Sequence, residues 1–168
     1  MSYNLDPKKL TKDDWLLTNC KERSLYIIEN SSKTEKQLRD KLKQGGKYND
    51  EIIDKTLEFL KSHNYINDEA YSNRYIERFK NSYSKKILIQ KLLIKGVKKS
   101  IIDKVMIENE NIFDEEKLAK KLLLKKYPNY YEISETIDKK EKSKIYAYLA
   151  RKGIGYENIS KVMRVGIG

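Results

Sequence analysis

Apolar residues recur along the chain at helical spacing, most regularly in pairs that a glycine follows. In "TEKQLRDKLKQGG" the pair is Leu38 and Leu42, and Gly46 lies four residues beyond it. Two apolar residues four apart share one face of a helix. A glycine just past the last turn can adopt the left-handed conformation that ends a helix. The pattern therefore predicts a helix, a tight glycine turn and a second helix.

The same pattern occurs three times, so the chain reads as a repeat of roughly 50 residues. The tetrapeptide "IIDK" follows the glycine in the first two copies. The third copy is weaker and lies in "EKSKIYAYLARKGIGYENISKVM". We expect Gly46, Gly96 and Gly153 to occupy equivalent turns. The apolar pairs that precede the two later glycines are Leu88 and Leu92, then Ile145 and Leu149.

A further helix precedes each pair, which gives an all-α protein of about nine helices in three tandem three-helix modules. We place the modules at 14–65, 66–111 and 112–168, after a short N-terminal segment, 1–13. The segment "PNYYEISETID" is expected to be a loop, or a loop with a short turn. The apolar residues assigned to these first helices are Trp15, Leu16, Leu25 and Ile28, then Tyr71, Tyr75, Ile76 and Phe79, and finally Leu118, Leu122 and Leu123.

Polar residues mark the expected helix starts. Asn67 and Asp114 each precede an acidic first turn, and Asp50 and Ser100 are of residue types that cap helices well. Asn49 or Asp50, and Ser100, fall near the starts of the third helices of their modules, and we expect Asp50 and Ser100 to act as the N-caps.

The middle module differs from the others in having Ile87 and Ile94 on a second apolar face. Two explanations are open for this face. It is either buried against a neighbouring module, which we favour, or it binds a partner.

The charge distribution indicates the kind of partner that the protein binds. The 168 residues carry a net charge of +11, from 36 basic and 25 acidic side chains. The densest window runs from Arg78 to Lys104 and has nine basic residues against one acidic residue, Asp103. Excess lysine on a folded domain is typical of proteins with a polyanionic partner, although a merely solvated basic surface has the same composition.

Residues for catalysis or metal binding are scarce. The single histidine, His63, is expected at a helix end, and the single cysteine, Cys20, in the core. The stretch "QGGKYND" fails the phosphate-loop pattern, which needs another glycine and a Ser or Thr after the lysine. We therefore predict no catalytic, metal or cofactor site, and a protein that is not an enzyme. No stretch has the length of a membrane span or an apolar signal-peptide core, so we expect a cytoplasmic protein.

The three-helix modules also invite comparison with helix-turn-helix DNA readers. Readers of base sequence usually carry Arg, Asn or Gln on the recognition helix. The third helices, "EIIDKTLEFLKSH", "SIIDKVMIEN" and "ENISKVMRV", offer few of these residues. Contact between lysines and the DNA backbone is therefore a better hypothesis than sequence readout.

Four stretches together resemble one protein family, the RecX regulatory proteins of bacteria. They are "KTEKQLRDKL", "YINDEAYSNRYIE", "KKILIQKLLIKGV" and "LARKGIGYENI", and the resemblance covers roughly residues 15–165. The order of the motifs makes the combination specific. This sequence departs from the family pattern at Tyr83-Ser84, where a glycine is usual, at Ser72, where alanine is common, and at Gln37, where glutamate is common.

The resemblance implies an elongated, curved array of three-helix modules and a monomer that binds the RecA recombinase. It implies that the protein lies in the groove of the RecA–DNA filament. From the basic charge we also expect weak direct binding of single- or double-stranded DNA. Most members restrain RecA in DNA repair and the SOS response: they block filament growth and lower its ATPase, strand-exchange and co-protease activities. The family has no catalytic residues to transfer.

We combine the charge pattern and the resemblance into a set of candidate contacts to the RecA–DNA filament. The competing hypothesis is a non-specific nucleic-acid-binding helical protein without a recombinase partner. The candidate residues are Arg74, Arg78, Lys85, Lys86, Lys91, Lys95, Lys98, Lys99, Arg151 and Lys152.

Overall fold

The computed structural model describes residues 11–164, and this part of the chain contains helices and no strand. The predicted all-α fold is confirmed. A single 3-10 turn, Glu110–Ile112, lies between α6 and α7. The ten α-helices are α1 Lys12–Asn30, α2 Glu35–Gln44, α3 Asp50–Ser62, α4 Asp68–Phe79, α5 Lys85–Ile94, α6 Lys99–Glu108, α7 Glu115–Lys126, α8 Tyr130–Ile133, α9 Lys139–Arg151 and α10 Tyr156–Arg164.

The helices pack as three consecutive triplets: α1, α2 and α3, then α4, α5 and α6, then α7, α9 and α10. Each triplet has its own apolar cluster. The repeated pairs supply the centre of each triplet, because all six side chains are at most 2% exposed. These six are Leu38, Leu42, Leu88, Leu92, Ile145 and Leu149. The periodic pattern in the sequence therefore identified the buried face of each second helix correctly.

The three repeated glycines are equivalent in conformation. Gly46, Gly96 and Gly153 have φ angles of 62°, 83° and 81°. These angles lie in the left-handed region, where a side chain is strained. The alignment of the copies is therefore confirmed at the backbone.

The helix starts follow the prediction in part. The side chains of Asn67 and Asp114 accept hydrogen bonds from the backbone of α4 and α7, as expected for N-caps. The prediction for Asp50 is wrong, because Asn49 caps α3 and accepts from the Ile52 amide at 2.9 Å. Ser100 also fails as a cap, because it is already the second residue of α6.

The segment 128–138 contains one short helix, α8, which the third triplet holds in place. Tyr130 is buried, and its hydroxyl donates to the Met163 carbonyl oxygen at 3.1 Å. The neighbouring Tyr131 donates to the Val162 carbonyl at 3.0 Å. Two tyrosines that looked like loop residues in the sequence therefore pack α8 against α10.

Cys20 is fully buried between α1 and α3, as predicted, and His63 is the C-cap of α3. Burial raises the pKa of the Cys20 thiol, because the thiolate would lose its hydration. We expect a thiol-specific reagent to react very slowly with the native protein at neutral pH and completely in denaturant. The absorbance of the released chromophore measures this. Rapid reaction of the native protein would contradict the packing of α1 on α3.

Successive triplets are joined by the same two hydrogen bonds. At the first joint the Thr34 hydroxyl, at the N-cap of α2, donates to the carbonyl oxygen of Lys95 at 2.6 Å. The next amide, of Glu35, donates to the Asp68 carboxylate at 2.9 Å. Burial outweighs this hydrogen bond and raises the pKa of Asp68.

The second joint repeats the first. The Ser84 hydroxyl, at the N-cap of α5, donates to the Lys152 carbonyl oxygen at 3.1 Å. The Lys85 amide donates to the Glu115 carboxylate at 3.2 Å. In each case the second helix of one triplet begins against the glycine turn of the next triplet. That glycine turn follows the end of the next triplet's own second helix. The third triplet differs, because its second helix, α9, begins three residues earlier relative to its apolar pair and is capped by Asp138.

Candidate polyanion interface

Four aromatic rings form a continuous row along α4 and the loop that follows it. Tyr71, Tyr75, Phe79 and Tyr83 are spaced four residues apart, and their successive ring centroids are 6.2, 4.6 and 5.4 Å apart. All four side chains are half-buried. The sequence pattern assigned the first three to the core side of α4, but only Ile76 of that group is fully buried. We call this row the aromatic ladder.

The first cleft lies at the joint between the first two triplets and has a volume of about 570 Å³. Its walls are the loop that holds Ser31 and Ser32, the face of α4 that carries the aromatic ladder, and Lys95 at the C-cap of α5. Arg74 donates to the Ser32 hydroxyl at 3.2 Å, and the Lys95 ammonium lies 5.2 Å from the Tyr75 ring centroid. Arg78 completes a set of three cations beside the first three rings of the aromatic ladder.

The second cleft lies at the joint between the last two triplets and has a volume of about 590 Å³. Tyr83, the last ring of the aromatic ladder, forms one wall, and Tyr148 on α9 forms another. The Lys126 ammonium lies 4.4 Å from the Tyr148 ring centroid, and the Lys91 ammonium 4.6 Å from that of Tyr83. The cations lining this cleft are Lys125, Lys126, Arg151 and Lys152.

Both clefts concentrate positive charge. Among the residues that the structure describes, no aspartate or glutamate lines either of them. Many lysines elsewhere in residues 11–164 do form ion pairs: Lys36 binds Asp40 at 2.7 Å, and Lys43 contacts Asp50. Like charges held close together without counter-charges repel one another, so a bound anion would stabilise both clefts.

The structure brings together six of the ten candidate residues and separates the other four. Arg74, Arg78 and Lys95 line the first cleft, and Arg151 and Lys152 line the second. Lys91 lies over the ring of Tyr83, which is a wall of the second cleft. These six belong to one basic and aromatic surface.

The other four candidates lie outside that surface. The Lys85 ammonium is 3.6 Å from Glu110, and Lys99 bonds Asp103 at 2.6 Å. Lys98 lines a different cleft, of about 350 Å³, whose other charged residues are Glu35, Lys61, Asp68 and Glu69. Lys86 is exposed in the first turn of α5 and lines neither basic cleft.

Sequence reasoning missed Lys125, Lys126 and Tyr148, which the second cleft contributes from α7 and α9. They lie outside the densest basic window, so charge counting could not find them. The sequence did carry a signal for the aromatic ladder, because an aromatic residue recurs at every fourth position from Tyr71 to Tyr83.

The described residues contain no group of three or more His, Cys, Asp or Glu side chains that could hold a metal ion. None of the helices in the described residues is both long enough and apolar enough to span a membrane.

Two family models match the chain. Residues 20–60 match the first three-helix domain of RecX, and residues 114–163 match its third three-helix domain. Solved structures with the same fold include RecX from Lactobacillus salivarius, with a TM-score of 0.72 at 19% identity over 90% of this chain and 96% of that one. A second crystal structure of regulatory protein RecX has a TM-score of 0.75 at 23% identity and covers 96% of this chain and 79% of that one.

Curated relatives match nearly the whole chain. Regulatory protein RecX of Clostridium beijerinckii is 40% identical over 98% of this chain and 76% of its own length. The protein of the same name from Clostridium perfringens strain 13 is 35% identical over 94% of this chain and 72% of its own. Since the identity, the coverage and the order of the three-helix domains all agree, the chain belongs to the RecX family.

Proposed function

We propose that this protein regulates the RecA recombinase in the cytoplasm by binding as a monomer to the RecA–DNA filament, and that it restrains the filament. The observation that carries the proposal is the surface on which two basic clefts flank the aromatic ladder, with no carboxylate among the described residues of either lining. The family supports a regulatory role, because the relatives are named regulatory proteins.

A filament of protein on DNA offers phosphates and protein surface along one groove. An array of helix triplets can follow such a groove with many contacts, each of them weak, so that affinity comes from their combination. Occupying the groove would interfere with the addition of further RecA subunits and with the movement of subunits during ATP hydrolysis. This account needs no catalytic residue and no cofactor.

The proposal is tested by measuring the ATPase activity of RecA on single-stranded DNA with and without this protein. We expect the rate to fall as the protein is added, and filament length in electron micrographs to fall with it. An unchanged ATPase rate, together with no association with preformed filaments, would refute the proposal.

Charge reversal within the densest basic window provides a matched comparison. Lys91→Glu with Lys95→Glu changes the basic surface, whereas Lys98→Glu with Lys99→Glu makes the same change of charge beside acidic residues. We expect the first double variant to weaken filament binding at least tenfold more than the second. Lysine–phosphate contacts release counterions, so each lost contact should also lower the slope of log affinity against log salt by about 0.7–0.9.

Fluorescence anisotropy at several salt concentrations measures both quantities, and helical circular dichroism checks that the variants are folded. Equal losses in the two double variants would mean that net charge alone determines binding. The basic surface would then have no special role.

The alternative function, nucleic-acid binding without a recombinase partner, gives a different result in the same assays. Affinity for naked DNA would then equal or exceed affinity for the RecA–DNA filament at the same salt concentration, and the ATPase rate would change only through competition for DNA.

A further inference from the structure

The two basic clefts occupy equivalent positions in the repeat. In each cleft, one wall is the loop before the second helix of a triplet. The next triplet supplies the other walls, which are its first helix and the lysine at the C-cap of its second helix. The equivalent lysines are Lys95 and Lys152. Their backbone carbonyl oxygens also accept the hydrogen bonds from the N-cap hydroxyls at the two joints. Arg78 on α4 and Lys125 on α7 are likewise equivalent, since each lies eleven residues after the N-cap of its helix.

The aromatic ladder connects the two clefts. Its first three rings line the first cleft, its last ring lines the second, and the step between them from Phe79 to Tyr83 is 5.4 Å. The helix that carries most of the ladder has twelve residues and is therefore about 18 Å long. An extended chain of a few nucleotides has the reach to contact both clefts at once.

The rings are arranged to hold cations. The ammonium groups of Lys95, Lys91 and Lys126 lie 5.2, 4.6 and 4.4 Å from the ring centroids of Tyr75, Tyr83 and Tyr148. These are cation–π distances, and such contacts reduce the freedom of a long lysine side chain. Since the rings are half-buried and already have cations over them, phosphate oxygens are a better match for this surface than stacked bases.

We propose that the two clefts are equivalent phosphate-binding sites that act as one bivalent surface, and that a single phosphodiester chain occupies both. The inference rests on the proposed function, of which it specifies the ligand. The proposal assigns the cations of both clefts to phosphate oxygens and not to base edges, so we expect affinity to depend little on base sequence. The gain from two linked sites can reach about 10²–10⁴ over one site alone.

The test uses the 168-residue protein without RecA. The probes are a fluorescein-labelled thymidine dinucleotide, which is too short to span both clefts, and an oligothymidylate of about 25 nucleotides, which is longer than typical strand-binding sites. One variant removes two cations from the first cleft, Arg74→Ala with Arg78→Ala. A second removes two from the other cleft, Lys126→Ala with Arg151→Ala. The matched control, Lys41→Ala with Lys142→Ala, removes two exposed lysines that line neither cleft.

With the short strand, we expect two molecules bound per wild-type chain and one per chain of either cleft variant. With the long strand, we expect one per chain, and an affinity loss of at least tenfold in each cleft variant against less than threefold in the control. One short strand per wild-type chain, or equal losses in control and cleft variants, would overturn the proposal. A duplex of the longer length, run in parallel, identifies the preferred source of the phosphodiester chain.

These outcomes are separate from the test of the proposed function. If RecA activity is unaffected while the two-site pattern is found, the regulatory proposal fails and the bivalent surface stands. If RecA is restrained while only one short strand binds to each wild-type chain, the bivalent surface fails and the regulatory proposal stands.

Discussion

Leu88→Ala is expected to lower the free energy of unfolding by about 2–5 kcal/mol, the usual cost of truncating a buried leucine. Leu88 is 0% exposed and lies on α5, which packs against α4 and α6 in the second triplet. The loss combines the transfer free energy of the removed atoms with the cavity that they leave. Urea denaturation monitored by circular dichroism measures the change.

The control for this variant lies on the same helix. Ile94 is 82% exposed, so Ile94→Ala removes little buried area and is expected to change stability by less than about 0.5 kcal/mol. If both variants lost the same stability, the assignment of the buried face of α5 would be wrong. If Ile94→Ala kept its stability and lost filament affinity, this isoleucine would belong to the surface that meets RecA.

Gly153→Ala is expected to cost about 2–4 kcal/mol, more than the same change at the equivalent Gly46. Both glycines have positive φ, so an added side chain is strained by about 1–2 kcal/mol in either turn. At Gly153 a Cβ atom would also lie 2.3 Å from the Ser84 hydroxyl oxygen. Ser84 would have to move, and its hydrogen bond to Lys152 at the second joint would be lost.

Gly46→Ala is the matched comparison, because no other described residue lies within 4 Å of the site of its Cβ. We expect it to cost only the strain of the left-handed turn. Thermal unfolding of the two variants side by side checks the difference, and equal losses would mean that the second joint contributes nothing to stability.

Much of the fold could be predicted because it depends on local chemistry. The buried pairs and the left-handed glycines follow from helical periodicity and from the conformations that only glycine adopts easily. The order of the helices followed from the repeat. The module boundaries at 65/66 and 111/112 remain predictions.

The favoured interpretation, that Ile94 is buried against a neighbouring module, was wrong. The reason is the geometry of the joint, which the sequence does not specify. Ile87 does reach the third triplet, since its Cγ1 atom lies 2.9 Å from the site of a Cβ on Gly153. Ile94 is seven residues further along α5, which is about 10 Å along the helix axis, and there it is exposed. How far a neighbouring triplet extends depends on the angle at the joint, which no local pattern specifies.

The candidate surface was predicted only in part, for a similar reason. Charge density located Lys91 and Lys95 but gave equal weight to Lys98 and Lys99, which lie beyond the glycine turn near acidic residues. The second cleft draws Lys126 from α7 and Arg151 from α9, twenty-five positions apart in the sequence. Only the packing of the third triplet brings such residues together.

The residues that cap the second helices also affect whether one molecule can stack on another. A threonine or serine hydroxyl can accept a hydrogen bond from its own helix and donate another to the next triplet, as Thr34 and Ser84 do. The cap of α9 is Asp138, which accepts from the Glu141 amide at 2.7 Å. An ionised carboxylate has no proton to donate, so the bond that links one triplet to the next has no counterpart there. The open turn at Gly46 of a second molecule would therefore find no matching donor at Asp138. Together with the earlier start of α9, this mismatch disfavours head-to-tail stacking of one molecule on the next.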